Sequence, residues 1–473
     1  MILKKNLKIN NKKLRKEKHM TLLEKIQYIE EKYKLYKYES WQYLRVVYTY
    51  AISVRRNSSN SNIIQKITLK DKIRKVFKTL FFGFKNWFRS YDYIIFDVND
   101  DYKNLDGLFV SRLTEGISNN LDRKRILHIQ TLWDKNVKPS KDYYVSDMII
   151  NVMGNIFYAI LNIFNKKIKI DFDYEIINKE LNLEINANKV FRKSILNKQI
   201  VKFILKIYKP KLVFVTCYTK RFMIIAAKEL NIPVVEIQHG VIMNHIGYMG
   251  KYFNAKSQPD YLLVFGENDK KLLINNSNYI DKEENIIPVG SFMIEYILKK
   301  DNDIFEQYRK KFEKIVSISL DDLTLEHTIN FIKNAARKLN NILFVLIPRN
   351  KDVNIRADNI IIIDRYSYSC LEAVKNSDFH LTVFSTCALE SPSLGVPNIF
   401  WNYNNLSEEY FKEYIEKKDF NFLVNSEQGL IDLLKKDISF NRQELIESNK
   451  EYFMPNYEKN IKKFIEKIQR IYI

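Results

Sequence analysis

Cysteine is scarce in this chain. Cys217, Cys370 and Cys387 are its only three, well separated and with no CxxC pair. That usage argues against a disulfide framework and against a zinc site, and it fits a reducing compartment. No N-terminal stretch joins an apolar core to a cleavage site, so no secretory signal is expected. Neither GxxxxGK(S/T) nor GxGxxG occurs, which disfavours a P-loop ATPase and a standard dinucleotide oxidoreductase. Nothing matches a helix-turn-helix reader, an RRM signature or a zinc finger, so no nucleic-acid partner is expected. Long apolar runs are almost missing too. The one membrane-span candidate is residues 148–164, seventeen residues without a charged side chain and marginal in length. Asn151, Asn155 and Asn162 lay a polar stripe along it, so a buried or half-buried helix is the expectation.

What the chain has is length, lysine and alternation. Its 473 residues leave room for two or three domains and a large core. The formal charge of +21 is uneven: residues 1–92 hold 23 Lys/Arg against 7 Asp/Glu, leaving about +5 for the rest. A basic quarter interleaved with aromatics suits an anionic surface, and lipid headgroups are favoured. Within it, Leu22, Ile26, Ile29, Tyr33 and Tyr36 recur at helical spacing. Residues 73–88 gather Phe77, Phe81, Phe82, Phe84, Trp87 and Phe88 among lysines and arginines, as a helix in a membrane interface would. A helix packed on its own protein, with a solvated basic face, is the alternative.

From Tyr93 onward, short apolar runs alternate with helical periodicity. Strands are expected at 93–96, 125–130, 211–218, 234–237 and 261–265. A Gly-Ser turn at 290–291 closes this unit. A second alternation follows: strands at 315–320, 342–347, 360–363, 379–383 and 398–401, with helices between. The pattern predicts an α/β chain with two Rossmann-like doubly wound domains, 93–291 and 292–456. A basic helical region (1–92) precedes them and a C-terminal helix (457–473) follows.

The centre of the first unit is residues 210–250, a strand, a helix and a second strand that ends in Gln238-His239-Gly240. Polar residues at the carboxyl end of such a strand stand where open α/β sheets bind ligands. His239 has a side chain suited to accept a proton near neutral pH, or to hold a phosphate. Glu236 shares a strand face with Gln238, and a structural hydrogen bond is at least as plausible for it as catalysis. Asp100, in the acidic turn 97–101 that ends the first strand, is an alternative base, as is Asp101. Ser385 and Thr386 sit between a strand and a helix start, where N–H groups and hydroxyls suit a phosphate. Arg349, after the strand 342–347, is placed to meet a diphosphate. Asp100-Asp101 and Asp321-Asp322 superficially suggest a metal pair, but adjacent aspartates diverge, and no metal is expected.

Residues 228–242, Lys-Glu-Leu-Asn-Ile-Pro-Val-Val-Glu-Ile-Gln-His-Gly-Val-Ile, are followed by His245, Tyr248 and Pro259-Asp260-Tyr261. This run resembles bacterial capsule and surface-polysaccharide glycosyltransferases of the GT-B fold. Pro288 to Ser291 and Phe384 to Glu390, through Gly395 and Pro397, resemble further elements of that fold. The likeness covers roughly residues 200–400. It implies that the two domains face each other across a cleft, with Gln238, His239, Gly240 and His245 on the acceptor side. Arg349, Ser385, Thr386 and Glu390 would line the donor side, with Glu390 on the ribose hydroxyls. Transferases of CMP-activated acidic sugars carry His-Pro where this chain reads Ile347-Pro348-Arg349, which speaks against such a donor.

The expected activity is transfer of a sugar from a nucleotide-activated donor to a surface-polysaccharide or lipid-linked glycan. No cofactor is expected beyond the donor itself. The enzyme would be cytoplasmic and peripheral at the inner face of the cytoplasmic membrane, held there by residues 1–92. A CDP-alditol polyol-phosphate transferase and a nucleotide-sugar 2-epimerase share the architecture and compete. The non-enzymatic alternative is a basic scaffold for membrane or nucleic acid.

Overall fold

A computed structural model of the chain describes residues 22–57, 82–97, 102–105, 108–130, 143–163, 168–243, 245–349, 353–363 and 368–472. Asp100 and Asp101, the arm 1–20 and residues 73–81 lie outside the described residues.

The first sheet is built from β1 (Tyr93–Phe96), β4 (Ile126–Gln130), β5 (Tyr143–Ser146), β6 (Leu212–Val215), β7 (Val234–Ile237), β8 (Tyr261–Val264) and β9 (Ile286–Pro288). Its order is β5-β4-β1-β6-β7-β8-β9, parallel throughout. A hairpin of β2 (Tyr102–Leu105) and β3 (Leu108–Ser111) stands outside it. The second sheet comprises β10 (Lys314–Ser319), β11 (Ile342–Ile347), β12 (Ile360–Ile362), β13 (Phe379–Thr382), β14 (Asn398–Trp401) and β15 (Asn421–Val424). Its order is β12-β11-β10-β13-β14-β15, also parallel. Leu-Val-Phe-Val in β6 and Ile-Leu-Phe-Val-Leu-Ile in β11 are buried along their whole length. Strands apolar on both faces need helices on both faces, and that requirement makes each sheet doubly wound. The strand order reverses between β1 and β6, and again between β10 and β13, which sets the ligand crevices at those carboxyl ends.

The C-terminal helix, Tyr457–Tyr472, returns to the first domain. Phe464 packs edge-on to Tyr261, Tyr457 packs on Phe292, and Gln469 donates to the Tyr93 hydroxyl at 3.2 Å.

Two expectations for the basic segments change, and the one for the apolar segment holds. The helices Leu22–Lys32 and Glu39–Asn57 bury Ile26, Ile29, Trp41, Leu44 and Tyr48 against Phe191, Ile225 and Ile246 of the first domain. Arg45 Nε lies 2.6 Å from Glu30 in the same core, and Arg45 Nη2 donates to the Met249 carbonyl at 2.9 Å. An amphipathic period reports an apolar face without saying whether lipid or protein covers it; here protein does. The described end of the 73–88 stretch is not helical. Gly83, at φ 67° against the Tyr144 carbonyl, is followed by a 3-10 turn over Phe84–Phe88. The helix Met148–Ile163 is half-buried, as expected, with seven of its fourteen described side-chain positions exposed. Only Ile150 and Gly154 among its described side-chain positions are buried. It follows the edge strand β5 and rests on the helix Ala187–Tyr208, so one side alone is covered.

Candidate active site

Glu236 on β7 points into the domain and is fully buried. The Tyr279 hydroxyl donates to its Oε2 at 2.5 Å, and Arg221 stacks over the Tyr279 ring at 4.8 Å. Burial pushes the Glu236 carboxyl up to about 7, against the pull of Arg221 and Tyr279. Glu236 is therefore a support beneath the turn and not a solvent-facing base.

Gln238 ends the strand with its amide already engaged. Its Nε2 donates to the Gly240 carbonyl at 2.8 Å and to Asp269 Oδ2 at 2.9 Å, and its Oε1 accepts from the Phe265 N–H at 2.8 Å. These bonds tie the turn to the start of the helix Glu267–Asn276, so Gln238 positions the turn. His245 packs edge-on to Tyr218 and its Nδ1 accepts from the Gly247 N–H at 3.1 Å. Burial, with His239 and Arg45 nearby, lowers its pKa to about 4. It is a neutral histidine within the packing behind the turn.

His239 itself is half-buried. Opposite it stands the second domain: a Cβ placed on Gly240 would sit 3.5 Å from Thr386 Oγ1. The two segments singled out in sequence thus face each other.

Arg112 joins them. This residue, just after β3, donates from Nη2 to the His239 carbonyl at 2.8 Å and from Nη1 to Glu390 Oε1 at 3.1 Å. Its segment is anchored from below. The Thr114 hydroxyl donates to Asp97 Oδ1 at 3.2 Å, His128 Nδ1 lies 2.7 Å from Asp97 Oδ2, and His128 Nε2 lies 3.4 Å from Ser118 Oγ. Asp97, just past the carboxyl end of β1, and His128, in the middle of β4, are fully buried. Next to Arg112 a small pocket is lined by Ile237, Leu263, Phe265 and Tyr457. Arg112 was not legible in the sequence, because a lone arginine after a short strand carries no periodic or motif signal.

In the second domain, Ser385 and Thr386 open a helix of one turn, Cys387–Glu390, followed by a 3-10 turn at Pro392–Leu394. One turn sums few peptide dipoles, so hydroxyls and side-chain charge matter more here than helix charge. Ser385 Oγ accepts from the Cys387 N–H at 3.3 Å and Thr382 Oγ1 from the Ser385 N–H at 3.1 Å, which fix the loop. Glu390 is buried except toward Arg112. Arg349 stands exposed at the carboxyl end of β11, beyond this contact set. Beneath the loop, Ser319 Oγ lies 2.8 Å from His380 Nε2, and His380 Nδ1 lies 3.2 Å from Asn398 Oδ1. Burial lowers the His380 pKa to about 4, so it bridges the strands as a neutral ring. Asp321 caps its own turn, accepting from the Leu323 and Thr324 N–H groups.

No protein-family model matches the chain, and no curated protein matches it in sequence. Solved structures do match in fold. The wall teichoic acid polymerase TagF, in a form soaked with CDPG, aligns at a TM-score of 0.51 and 12% identity, over 86% of this chain and 98% of its own. CalG4, the calicheamicin glycosyltransferase, aligns at 0.50 and 12% identity, over 81% of this chain and 100% of its own. The glycotransferase of kitacinnamycin aligns at 0.50 and 10% identity, with the same coverage. The protein is a two-domain α/β chain of the GT-B fold.

Proposed function

We propose that the protein is a glycosyltransferase that moves a sugar from a nucleotide-activated donor to a surface-polysaccharide or lipid-linked glycan acceptor. One observation carries this reading: Arg112 links the His239 turn of one domain to Glu390 of the other, so an acceptor-suited histidine and a donor-suited carboxylate share one cleft. In the proposed reaction the acceptor hydroxyl attacks the anomeric carbon while His239 takes its proton. The bond from that carbon to the donor phosphate oxygen breaks, and the nucleotide leaves with the electron pair. Arg112, the Ser385 and Thr386 hydroxyls and, from the loop after β11, Arg349 are the groups suited to meet that charge. With two arginines at hand the reading calls for no cofactor and no metal. Glu390 is assigned to the ribose hydroxyls, exchanging its Arg112 contact for them.

A second reading is favoured by the TagF likeness, whose coverage of this chain is the broadest of the three. In it the donor is a CDP-alditol: the acceptor hydroxyl attacks the alditol-bearing phosphorus, the bond from that phosphorus to the bridging oxygen breaks, and CMP leaves with the electron pair. A panel of UDP, GDP, CMP, CDP and dTDP compounds, scored by thermal protection, separates the readings. Protection by a nucleotide sugar supports glycosyl transfer, CDP-alditol protection supports the second reading, and protection by none contradicts both. We place the enzyme in the cytoplasm, against the inner face of the cytoplasmic membrane.

A further inference from the structure

The described residues of the chain expose eighteen large apolar side chains, and eight of them fall in one region of the first domain. Met153, Ile156, Phe157 and Ile160 recur at i, i+3, i+4 and i+7 along the helix Met148–Ile163, one continuous stripe. On the helix Ala187–Tyr208, Phe203 is 64% exposed and Ile207 60%. Phe84 and Phe88 add two rings from the turn beside its end, where Trp87 stacks on Tyr208.

The two helices run antiparallel in contact. Gly154 meets Asn197 and Ile200, and Tyr158 lies under Arg192 and Lys193 at 5.2 and 5.9 Å. Charge on this layer has one sign. The helix 148–163 carries none, and the helix 187–208 carries Lys189, Arg192, Lys193, Lys198, Lys202 and Lys206 with no Asp or Glu. Lys198 and Lys202 turn toward the protein and pair with Glu229. Lys189, Lys206 and the following Lys209 are exposed.

We infer that this layer docks on an anionic lipid bilayer, with the helix 148–163 lying in the interface plane. No helix among the described residues is long and apolar enough to cross a membrane. An uncharged stripe beside a wholly basic helix suits acyl chains next to anionic headgroups. Nucleic acid would use the lysines but leave the aliphatic stripe in water. The inference deepens the proposed function by siting the membrane of a lipid-linked acceptor. It is read by vesicle binding without a donor, so either can fail alone.

The test is sedimentation of the full chain with phosphatidylcholine vesicles, with and without phosphatidylglycerol. Wild type should bind the anionic vesicles and release in high salt. A Phe157→Ser/Ile160→Ser/Phe203→Ser/Ile207→Ser variant should lose about tenfold in affinity or more with its circular dichroism and Tm unchanged. A second variant, Lys206→Glu/Lys209→Glu, alters only exposed charges and should lose anionic-vesicle binding selectively. Unchanged binding in both variants overturns the inference. So does a wild type that ignores vesicles, including one in which the fourfold variant merely splits a dimer. Binding that tracks residues 58–81 and not this layer overturns it as well.

Discussion

Arg112 of the first domain places a guanidinium nitrogen 3.1 Å from the Glu390 carboxylate of the second. The same guanidinium holds the His239 carbonyl, so one side chain fixes the spacing between the two halves of the site. Arg112→Ala would leave the buried Glu390 charge without this partner and should cost about 2 kcal/mol, less than a fully buried pair because Arg112 is partly exposed. Adding Glu390→Gln should recover part of the loss in urea unfolding. Strict additivity of the two changes would mean that the pair is not coupled.

His239→Ala should lower turnover by roughly 10²–10⁴-fold, the range for losing a general base, with Tm little changed. The comparison is steady-state kinetics on the donor that the nucleotide panel identifies. Near-normal turnover would remove His239 as the base and leave it a phosphate ligand.

Two buried acids give the fold a pH dependence. Burial raises Glu236 and Asp269 to about 7. An acid raised on folding holds its proton more tightly in the native state. Its contribution to stability is therefore full below the unfolded pKa, about 4, and is lost as pH rises through the folded value. Against the opposite slope from the buried neutral histidines His245 and His380, the share of the two acids in the unfolding free energy should fall between about pH 4.5 and 7 by an amount on the order of a few kcal/mol. Glu236→Gln with Asp269→Asn should flatten that slope. A slope unchanged in the double variant would place its origin elsewhere.

The helices 22–57 should behave as part of the first domain. Arg45→Ala leaves the buried Glu30 carboxylate without its cation, with the Trp41 Nε1–H still donating at 2.9 Å, and should cost about 3–5 kcal/mol. Chemical denaturation checks this, and a loss under 1 kcal/mol would count against the packing of Arg45 with Glu30 described above.

Much of the fold was legible because its strands are short, apolar and β-branched. β1, β4, β6, β7, β8 and the strands β10 to β14 fall where the sequence pattern predicts them. β5, β9, the β2–β3 hairpin and β15 were not anticipated; Tyr143–Ser146 and Tyr102–Leu105 are short and mix polar residues with apolar ones. The QHG turn was visible because its polar residues interrupt an apolar strand. Arg112, and the Asp97–His128 pair that anchors its segment, are joined by tertiary contact alone, the pair lying 31 positions apart in sequence. Periodicity likewise could not assign the apolar faces. Residues 22–57 looked membrane-seeking and are covered by protein, whereas 148–163, read as buried or half-buried, is covered on one side and exposed on the other.

The central claim is that the cleft between His239 and Glu390 is the seat of a nucleotide-activated donor. The most direct measurement is the thermal shift of wild type and Glu390→Gln across the UDP, GDP, CMP, CDP and dTDP panel. Ligand at a hundredfold excess over Kd adds roughly 2.7 kcal/mol to the native state, a shift readily seen. The account predicts protection by one nucleotide class in wild type and a clearly smaller shift in Glu390→Gln. Equal protection of both proteins, or protection of neither, would contradict it.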